Sequence, residues 1–191
     1  MGKRRLNPGQ LRWTHKPKFY VISADRLVLE TEPHTSMTGV LGVSDSVAGM
    51  CLPPADRFSL TLRLDYEFRG PQDECGIYLR RHSGHWCKCS IENLGSDTVD
   101  LACTMYENGY ADRSMREIGS LISHLYFRLI FWDGEARFQY SFNGDRSSEM
   151  RSLHFADSGE PVTVGLYACS PGGSFFDCTF SKMEYSDQQT K

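Results

Sequence analysis

The feature of this 191-residue chain that most limits its fold is a repeated alternation of apolar and polar residues. In FSLTLRLDYEF, residues 58–68, every second side chain is leucine, phenylalanine or tyrosine, and the side chains between them are polar or charged. Because alternate side chains of a strand point to opposite faces, this pattern predicts a strand that is buried on one face only. Similar alternation recurs in residues 99–105, 125–131, 138–142 and 162–168.

Turn signals separate these runs, and the sequence lacks helical periodicity of useful length. The strongest hairpin signal is Asp133-Gly134, which lies between two alternating segments. About a dozen strands in a chain of this length predict an all-β fold, a β-sandwich or jelly roll of two antiparallel sheets. We expect one domain over residues 1–191, with its core in roughly residues 10–185.

The composition is that of an ordinary soluble globular domain. A net charge of −3 and an isoelectric point near 6.1 argue against nucleic-acid binding, which usually needs a basic domain. No apolar run is long enough to cross a membrane, and the first residues, MGKRRLNPGQ, lack the apolar segment of a secretory signal. We therefore expect a cytoplasmic protein whose seven cysteines are reduced thiols. The sequence leaves open whether it is a monomer or a homodimer.

The stretch HWCKCSIE, residues 85–92, presents two candidate sites on opposite faces of one strand. Four thiols are expected on one face of three neighbouring strands, contributed by Cys75, Cys87, Cys89 and Cys103. Four cysteines can satisfy tetrahedral zinc, but zinc ligands usually come in pairs separated by two to four residues on turns. Free cysteine also packs like a small apolar residue, so we predict core packing and no metal or cofactor at this face.

The other face carries the candidate ligand-binding residues. They are Tyr78, Arg80, Trp86, Lys88 and Glu92, with His82 as a further candidate. Adjacent strands are expected to add either the pair Arg63 and Asp65 or the pair Thr104 and Tyr106. Aromatic rings stack on the C–H faces of sugars, and charged groups bind hydroxyls, so this set favours a carbohydrate ligand.

Two other interpretations of this face stay open. It is an ordinary solvent-facing sheet with ion pairs such as Arg80 with Glu92, or a loop covers it and Trp86 packs beneath that loop.

The run DECGIYLRRHSGHWCKCSIEN resembles the central motif of an uncharacterised family in the concanavalin A-like lectin and glucanase superfamily. Members of that family are often labelled "regulation of enolase protein". The motif is carried here by Asp73, Cys75, Gly76, Arg80, Trp86, Lys88 and Glu92. The runs LRWTHKPKFYVISADRLVLETEP and VTVGLYACSPGGSFFDCTFSKMEY resemble the opening and closing regions of the same family.

The resemblance implies a jelly-roll sandwich whose concave sheet bears Trp86, Lys88 and Glu92. One departure concerns the segment after the strand LVLET. The family tends to carry an acidic and an aromatic residue there, whereas this chain has Thr35, Ser36, Met37 and Thr38. If that segment lines the concave face, the ligand of this chain differs or its site is weakened.

Glycoside hydrolysis needs two carboxyl groups about 5–5.5 Å apart for retention, or about 6.5–9.5 Å apart for inversion. Asp65 and Glu67 form the pair that shares one strand face, while we expect Asp73 and Glu74 to lie in a turn and point apart. Glu92 is expected to stand alone on its strand, and a pairing across strands with Asp65 stays open, so catalysis through Glu92 is the less favoured interpretation. We predict instead a binding protein that engages a sugar or glycoconjugate without catalysis.

The alternative of a different class is a protein-interaction or regulatory module. Such a module would use the same concave face or a sheet edge to bind a protein partner.

Overall fold

The computed structural model describes residues 4–37, 47–95 and 97–187, and these residues form an all-β jelly-roll sandwich. The strands are β1 Arg4–Arg5, β2 Arg12–His15, β3 Tyr20–Ile22, β4 Arg26–Glu30, β5 Ala48–Cys51, β6 Arg57–Tyr66, β7 Glu74–His82, β8 His85–Asn93, β9 Thr98–Glu107, β10 Tyr110–Gly119, β11 His124–Trp132, β12 Glu135–Ser141, β13 Ser148–His154, β14 Thr163–Cys169 and β15 Asp177–Asp187. A single 3-10 turn, Pro8–Gln10, is the helical element of the described residues, none of whose helices is long and apolar enough to span a membrane.

The strands form two sheets with antiparallel pairing throughout. Sheet A has the order β13-β12-β11-β6-β15-β4-β3, with β1 also paired to β15. Sheet B has the order β10-β9-β8-β7-β14-β5-β2. The predicted sandwich of two antiparallel sheets is therefore confirmed.

The core lies between the sheets and follows the predicted alternation. In β6, Phe58, Leu60, Leu62, Leu64 and Tyr66 are buried, and the intervening residues are only half-buried. The predicted thiol face also belongs to this core. Cys75, Cys87, Cys89 and Cys103 are all buried among its apolar side chains and unbonded as disulfides. Their core packing is confirmed, and the described residues contain no cluster of three or more side chains suited to a metal.

The hairpin predicted at Asp133-Gly134 is present between β11 and β12. Trp132 pairs with Glu135, and both turn residues have positive φ, 54° for Asp133 and 79° for Gly134. Two consecutive residues with positive φ are characteristic of a type I′ turn, which matches the twist of the strands that it joins.

We call the face of sheet B that points away from sheet A the outer face. It is the face predicted to be concave, and its central strands are β7, β8 and β9. Lys88, Ser90 and Glu92 lie on this face and are nevertheless buried. Burial of polar groups on an outer face indicates that they contact one another or are covered by other segments of the chain.

Candidate functional site

The register of sheet B aligns the outer-face residues in rows across three strands. Taken across β7, β8 and β9, the rows are Glu74–Glu92–Asp100, Gly76–Ser90–Ala102, Tyr78–Lys88–Thr104 and Arg80–Trp86–Tyr106. Directly opposed residues of antiparallel strands lie about 4.5–5.5 Å apart, so side chains of one row are in reach of each other. The sheet thus brings Thr104 and Tyr106 beside the predicted site, whereas Arg63 and Asp65 lie on β6 of the other sheet.

Lys88 joins two carboxylates on the outer face. Its Nζ lies 2.5 Å from Glu74 Oε2 and 3.3 Å from Glu92 Oε1. The Lys88 side chain is 4 % exposed, and those of Glu74 and Glu92 are also largely buried. The remaining oxygen of Glu74 accepts a hydrogen bond from Cys169 Sγ, at 3.2 Å. The ammonium and both carboxylates therefore form one buried ionic cluster.

Arg113, from the edge strand β10, extends this cluster to a third carboxylate. Its Nη2 lies 2.8 Å from Glu92 Oε2 and 3.0 Å from Asp100 Oδ2. Ser90 Oγ donates a further hydrogen bond of 2.6 Å to Glu92 Oε1. We call Glu74, Lys88, Glu92, Asp100 and Arg113 the ionic cluster. It holds three carboxylates and two cations.

The environment shifts the pKa values of the two glutamates in opposite directions. Burial raises the pKa of Glu74, and the nearby Glu92 charge adds to this, with Lys88 offsetting only part of the rise. Burial also acts to raise the pKa of Glu92, but Lys88, Ser90 and Arg113 together lower it. The difference arises because one ammonium serves two carboxylates, and Glu92 alone has the additional guanidinium. Burial acts to lower the pKa of Lys88, but Glu74 and Glu92 raise it, so the lysine stays charged.

The two predicted aromatic residues are buried. Trp86 is 1 % exposed and stacks on Tyr106, with ring centroids 5.1 Å apart and planes inclined by 14°. Tyr78 is fully buried in a small apolar cluster with Met37, Val47 and Tyr167. Arg80, opposite Trp86, is half-buried. Neither Tyr78 nor Trp86 presents an open ring face. For Tyr78, the interpretation in which another part of the chain covers the outer face applies, because Met37 and Val47 pack against it.

A cleft of about 480 Å³ lies over the ionic cluster. Its walls are Ser36, Gln72, Glu74, Lys88, Glu92, Leu94, Thr104, Ala111, Arg113 and Pro171. Thr104 is buried, and its Oγ1 has no hydrogen-bond partner among the described residues. Buried hydroxyls are usually hydrogen-bonded, so this hydroxyl, which is closed to solvent as well as unpaired, is an unsatisfied polar group of the cleft wall.

One expectation about the carboxylates was wrong. Glu74 does not lie in the turn with Asp73, because β7 begins at this residue and pairs it with Glu92. Glu92 is the one carboxylate of β8, as expected, but β7 and β9 bring Glu74 and Asp100 beside it, and its cationic partners are Lys88 and Arg113 in place of Arg80. Asp73, in contrast, does belong to the turn. Its carboxylate accepts hydrogen bonds from the Arg69 and Gly70 N–H groups and from Ser174 Oγ.

Three cluster residues were missed in the sequence, namely Glu74, Asp100 and Arg113. Asp100 has a usable signal, because it lies between Val99 and Leu101 in an alternating run and must point to the face opposite the core. Arg113 has none, since β10 is exposed on almost every residue and its sequence, YADRSMREIG, shows no clear alternation of apolar side chains.

The further candidate His82 and its neighbour His85 lie apart from the cluster. His85 is buried with its ring 4.7 Å from Phe155, and its Nδ1 lies 3.5 Å from Glu107 Oε1. His82 is exposed, and its ring centroid is 5.7 Å from that of His85.

The segment in which this chain departs from the resembled family does reach the outer face. Thr35 is buried and accepts a hydrogen bond from the Ser170 N–H, Ser36 lines the cleft, and Met37 packs against Tyr78. Thr38 lies outside the described residues. The departure is therefore located at the cleft wall, where a changed side chain alters the space offered to a ligand.

Solved structures share this fold. A functionally unknown protein from Saccharomyces cerevisiae is 25% identical, with a TM-score of 0.84 over 95% of this chain and 98% of that one. A GH43 protein, BlXynB from Bacillus licheniformis, is 13% identical with a TM-score of 0.71, and this chain covers 38% of its length. A legume lectin-like domain from Entamoeba histolytica is 10% identical, with a TM-score of 0.61 over 91% of this chain and 89% of that one.

The two more distant similarities establish a lectin-like sandwich fold alone, and the chain spans less than two fifths of the GH43 protein. No curated protein matches the chain. A family model described as "Protein of unknown function (DUF1349)" matches residues 13–188. The label "regulation of enolase protein" is absent from this description and from the names of the solved structures, and it stays an expectation. Since the family model matches nearly the whole chain, the protein belongs to the DUF1349 family.

Proposed function

We propose that the cleft over the ionic cluster binds a neutral carbohydrate or glycoconjugate without catalysis. The observation that carries this proposal is the unpaired, buried hydroxyl of Thr104 in a cleft wall that also holds Glu92 and Arg113. A sugar hydroxyl both donates and accepts hydrogen bonds. It can therefore donate to Glu92 while it accepts from Arg113, and a neighbouring hydroxyl can bind Thr104 once this side chain turns its Oγ1 into the cleft.

The hydrogen-bonding capacity of Glu92 supports this arrangement. An ionised carboxylate offers about four lone-pair sites. Oε1 of Glu92 already accepts from Ser90 and contacts Lys88, while Oε2 contacts Arg113. One acceptor site on Oε2 is thus left for a ligand. The cluster has three carboxylates and two cations, so its charge disfavours an anionic sugar and favours a neutral one.

The proposal differs from the sequence-based one in the residues that contact the ligand. Lys88 and Glu92 line the cleft, whereas Tyr78, Arg80 and Trp86 do not. Apolar contact with the sugar comes from Leu94, Ala111 and Pro171 in place of an aromatic ring. We assign Tyr78 and Trp86 the supporting role of filling the outer face beside the cleft. A cytoplasmic location and the oligomeric state stay predictions.

The experiment is a glycan-array screen followed by isothermal titration calorimetry of the best neutral oligosaccharide. Thr104→Val removes the hydroxyl at nearly constant shape, and we expect it to weaken binding by about 3- to 10-fold, as for one lost hydrogen bond. Glu135→Gln, at the exposed first residue of β12 in the other sheet, is the control and should bind like the wild type. No binding by any neutral glycan, or equal affinity of wild type and Thr104→Val, contradicts the proposal.

One observation favours a second candidate, a retaining glycoside hydrolase. Because Lys88 Nζ lies 2.5 Å and 3.3 Å from them, the two nearest oxygens of Glu74 and Glu92 are at most about 5.8 Å apart. Retaining hydrolysis needs carboxyl groups about 5–5.5 Å apart, with the acid raised in pKa and the nucleophile ionised. The pKa of Glu74 is raised and that of Glu92 is lowered, which are the directions that an acid and a nucleophile need.

Binding without catalysis remains the proposal because the ammonium of Lys88 lies between the two carboxylates and contacts both. A carboxylate that is ion-paired with an ammonium group carries no proton that it could donate to a leaving group. The candidates are separated by incubating the protein with p-nitrophenyl glycosides. Release of p-nitrophenol that is lost in both Glu74→Gln and Glu92→Gln supports hydrolysis, and no release supports binding alone.

A further inference from the structure

A second surface, at the edge of sheet A, has features that the cleft does not use. β3 is the last strand of this sheet and pairs only with β4 among the described strands. Phe19 accepts a hydrogen bond from the Glu30 N–H, and Ser23 donates one to Arg26. Because the ladder bonds of an antiparallel pair alternate, the main-chain groups of Tyr20 and Ile22 point to the open edge. These groups can pair with an added strand.

The side chains beside this edge are apolar and exposed. Phe19 is 66 % exposed and Val21 is 56 % exposed. They border a depression of about 260 Å³ that Val28 of β4 also lines. A second depression, of about 170 Å³, shares Phe19 with the first and reaches Phe175, which is also exposed. Exposed apolar side chains that are grouped around a groove mark an interaction surface more often than single ones do.

Carboxylates surround this apolar groove. Glu30 and Asp177 line the larger depression, and Glu32 lines the smaller one. Asp177 is shared with an adjoining depression of about 360 Å³ that contains Asp65 and Glu67. The cations that line these depressions are Lys18 and Arg69, and Arg63 is paired with Asp65 beside them, so five carboxylates face three cations. Lys18 Nζ lies 3.2 Å from Glu32, and Arg69 Nη2 lies 4.0 Å from Asp177. The groove therefore has an excess of negative charge.

One edge strand of sheet B, β10, has the opposite character. β10 is ten residues long, and its side chains include the charged groups of Asp112, Arg113, Arg116 and Glu117. Charged side chains on an edge strand are a common protection against pairing with another chain. β3 has no charged residue within Tyr20–Ile22. Among these two edges, β3 is the one whose chemistry permits addition of a strand.

We propose that β3 and the adjoining acidic groove dock an extended peptide segment of a protein partner. Main-chain hydrogen bonds to Tyr20 and Ile22 hold the segment. An apolar side chain contacts Phe19 and Val21, and basic side chains two residues before and after it reach Glu30, Asp177 and Glu32. A second copy of this chain is a poor occupant, because its own β3 edge brings the same carboxylates and would place like charges together. A sugar would leave the edge main-chain groups and Val21 unused.

The test uses three capped heptapeptides and fluorescence anisotropy at low salt. The first, TKTVTKT, places lysine, valine and lysine on one strand face. The second, TETVTET, reverses the charge, and the third, TKPVPKT, has prolines that block main-chain pairing. We expect the first peptide to bind at least 10-fold more tightly than either of the others. Its affinity should fall with added salt, since exposed charges are screened.

Variants of the full chain locate the site. Val21→Lys adds a charge to the edge, and Glu30→Gln with Asp177→Asn removes two groove carboxylates. We expect each to weaken binding of TKTVTKT at least 5-fold, whereas Glu92→Gln in the cleft leaves it unchanged. Thermal unfolding checks that each variant is folded. Equal binding of all three peptides, no binding of TKTVTKT, or binding that depends on Glu92 and not on Val21 would overturn the proposal.

Discussion

The residue that organises the outer face of sheet B is Lys88. It is the one cation in contact with both Glu74 and Glu92 among the described residues, and all three side chains are largely buried. Removing one partner of a buried ionic group leaves the others uncompensated in a medium of low polarity. The stability of the face should therefore depend on this lysine more than on any exposed charge.

Replacement of Lys88 by methionine should lower the free energy of unfolding by about 3–5 kcal/mol, the usual cost of breaking a buried ion pair. Lys18→Met, at a highly exposed position paired with Glu32, should change it by no more than about 0.5 kcal/mol. Urea unfolding measures both values. In the double variant Lys88→Met with Glu74→Gln, part of the loss should return, and equal stability of Lys88→Met and wild type would contradict the ionic role.

The opposed pKa shifts predict how stability depends on pH. Glu74, whose pKa is raised by burial, contributes stability below its unfolded pKa of about 4.3, and this is lost as pH rises through the folded value. Glu92, whose lowered pKa reflects Lys88, Ser90 and Arg113 acting against burial, contributes stability above about pH 4.3 that is lost as pH falls through its folded value.

Urea unfolding of wild type and Glu74→Gln at a series of pH values tests the first of these shifts. Relative to the variant, the wild type should lose stability as pH rises from about 4.3 toward neutrality. Curves that stay parallel over this range would show that the carboxyl group of Glu74 titrates as it does in the unfolded chain.

At the scale of strands, two glycines of sheet B position the outer face. A Cβ at Gly76 would lie 2.0 Å from the carbonyl oxygen of Cys89, so β7 approaches β8 closely only with glycine there. A Cβ at Gly165 would lie 2.2 Å from ring atoms of Tyr78, so β14 leaves space for this ring. Strand packing thus requires glycine at Gly76, which belongs to the family motif, and at Gly165, which contacts the buried ring of Tyr78.

Gly165→Ala should therefore destabilise the fold by about 1–3 kcal/mol, the usual cost of overpacking a filled interior. The Tyr78 ring is fully buried, so it cannot move into solvent to make room. Gly173→Ala is the matched control, because its added Cβ meets no atom within 4 Å. Thermal unfolding measures both, and an unchanged stability of Gly165→Ala would show that the ring moves freely.

The sequence predicts some elements well for a definite physical reason. Alternation reports which residues share a face, and it therefore placed Lys88 and Glu92 opposite the core thiols, as the sheet shows. Alternation carries no information on register between strands, so the pairing of Glu74 with Glu92 could not be found. It also fails where both faces of a strand are exposed, which is why Arg113 on β10 was missed.

Burial of the two aromatic residues depends on contacts between distant parts of the chain. Met37 and Val47 pack against Tyr78 although they precede it by some thirty to forty residues. A pattern within one strand distinguishes its two faces, but it does not tell an open outer face from a covered one. The predicted aromatic platform is the clearest example of this limit.

At the scale of the whole molecule, the sandwich offers two separate surfaces. The cleft lies on the outer face of sheet B, and the acidic groove borders the β3 edge of sheet A. Residues 33–36 and 170–175, which are joined by a β-bridge between Pro33 and Ser170, connect the two surfaces. Ser36 and Pro171 line the cleft, while Pro33 and Phe175 line the smaller depression of the groove. The proposed ligand site and the proposed partner site can therefore be tested independently of each other.

The central claim is that the cleft binds a neutral carbohydrate, and its most direct test is a titration followed by nuclear magnetic resonance. Backbone amide resonances of the isotope-labelled protein are recorded while neutral disaccharides and tetrasaccharides of glucose, xylose, galactose and mannose are added. We predict that at least one shifts a compact set of signals from Gln72, Lys88, Glu92, Thr104 and Arg113. Signals that do not move with any of these sugars, or that move only around Phe19 and Val21, would contradict the claim.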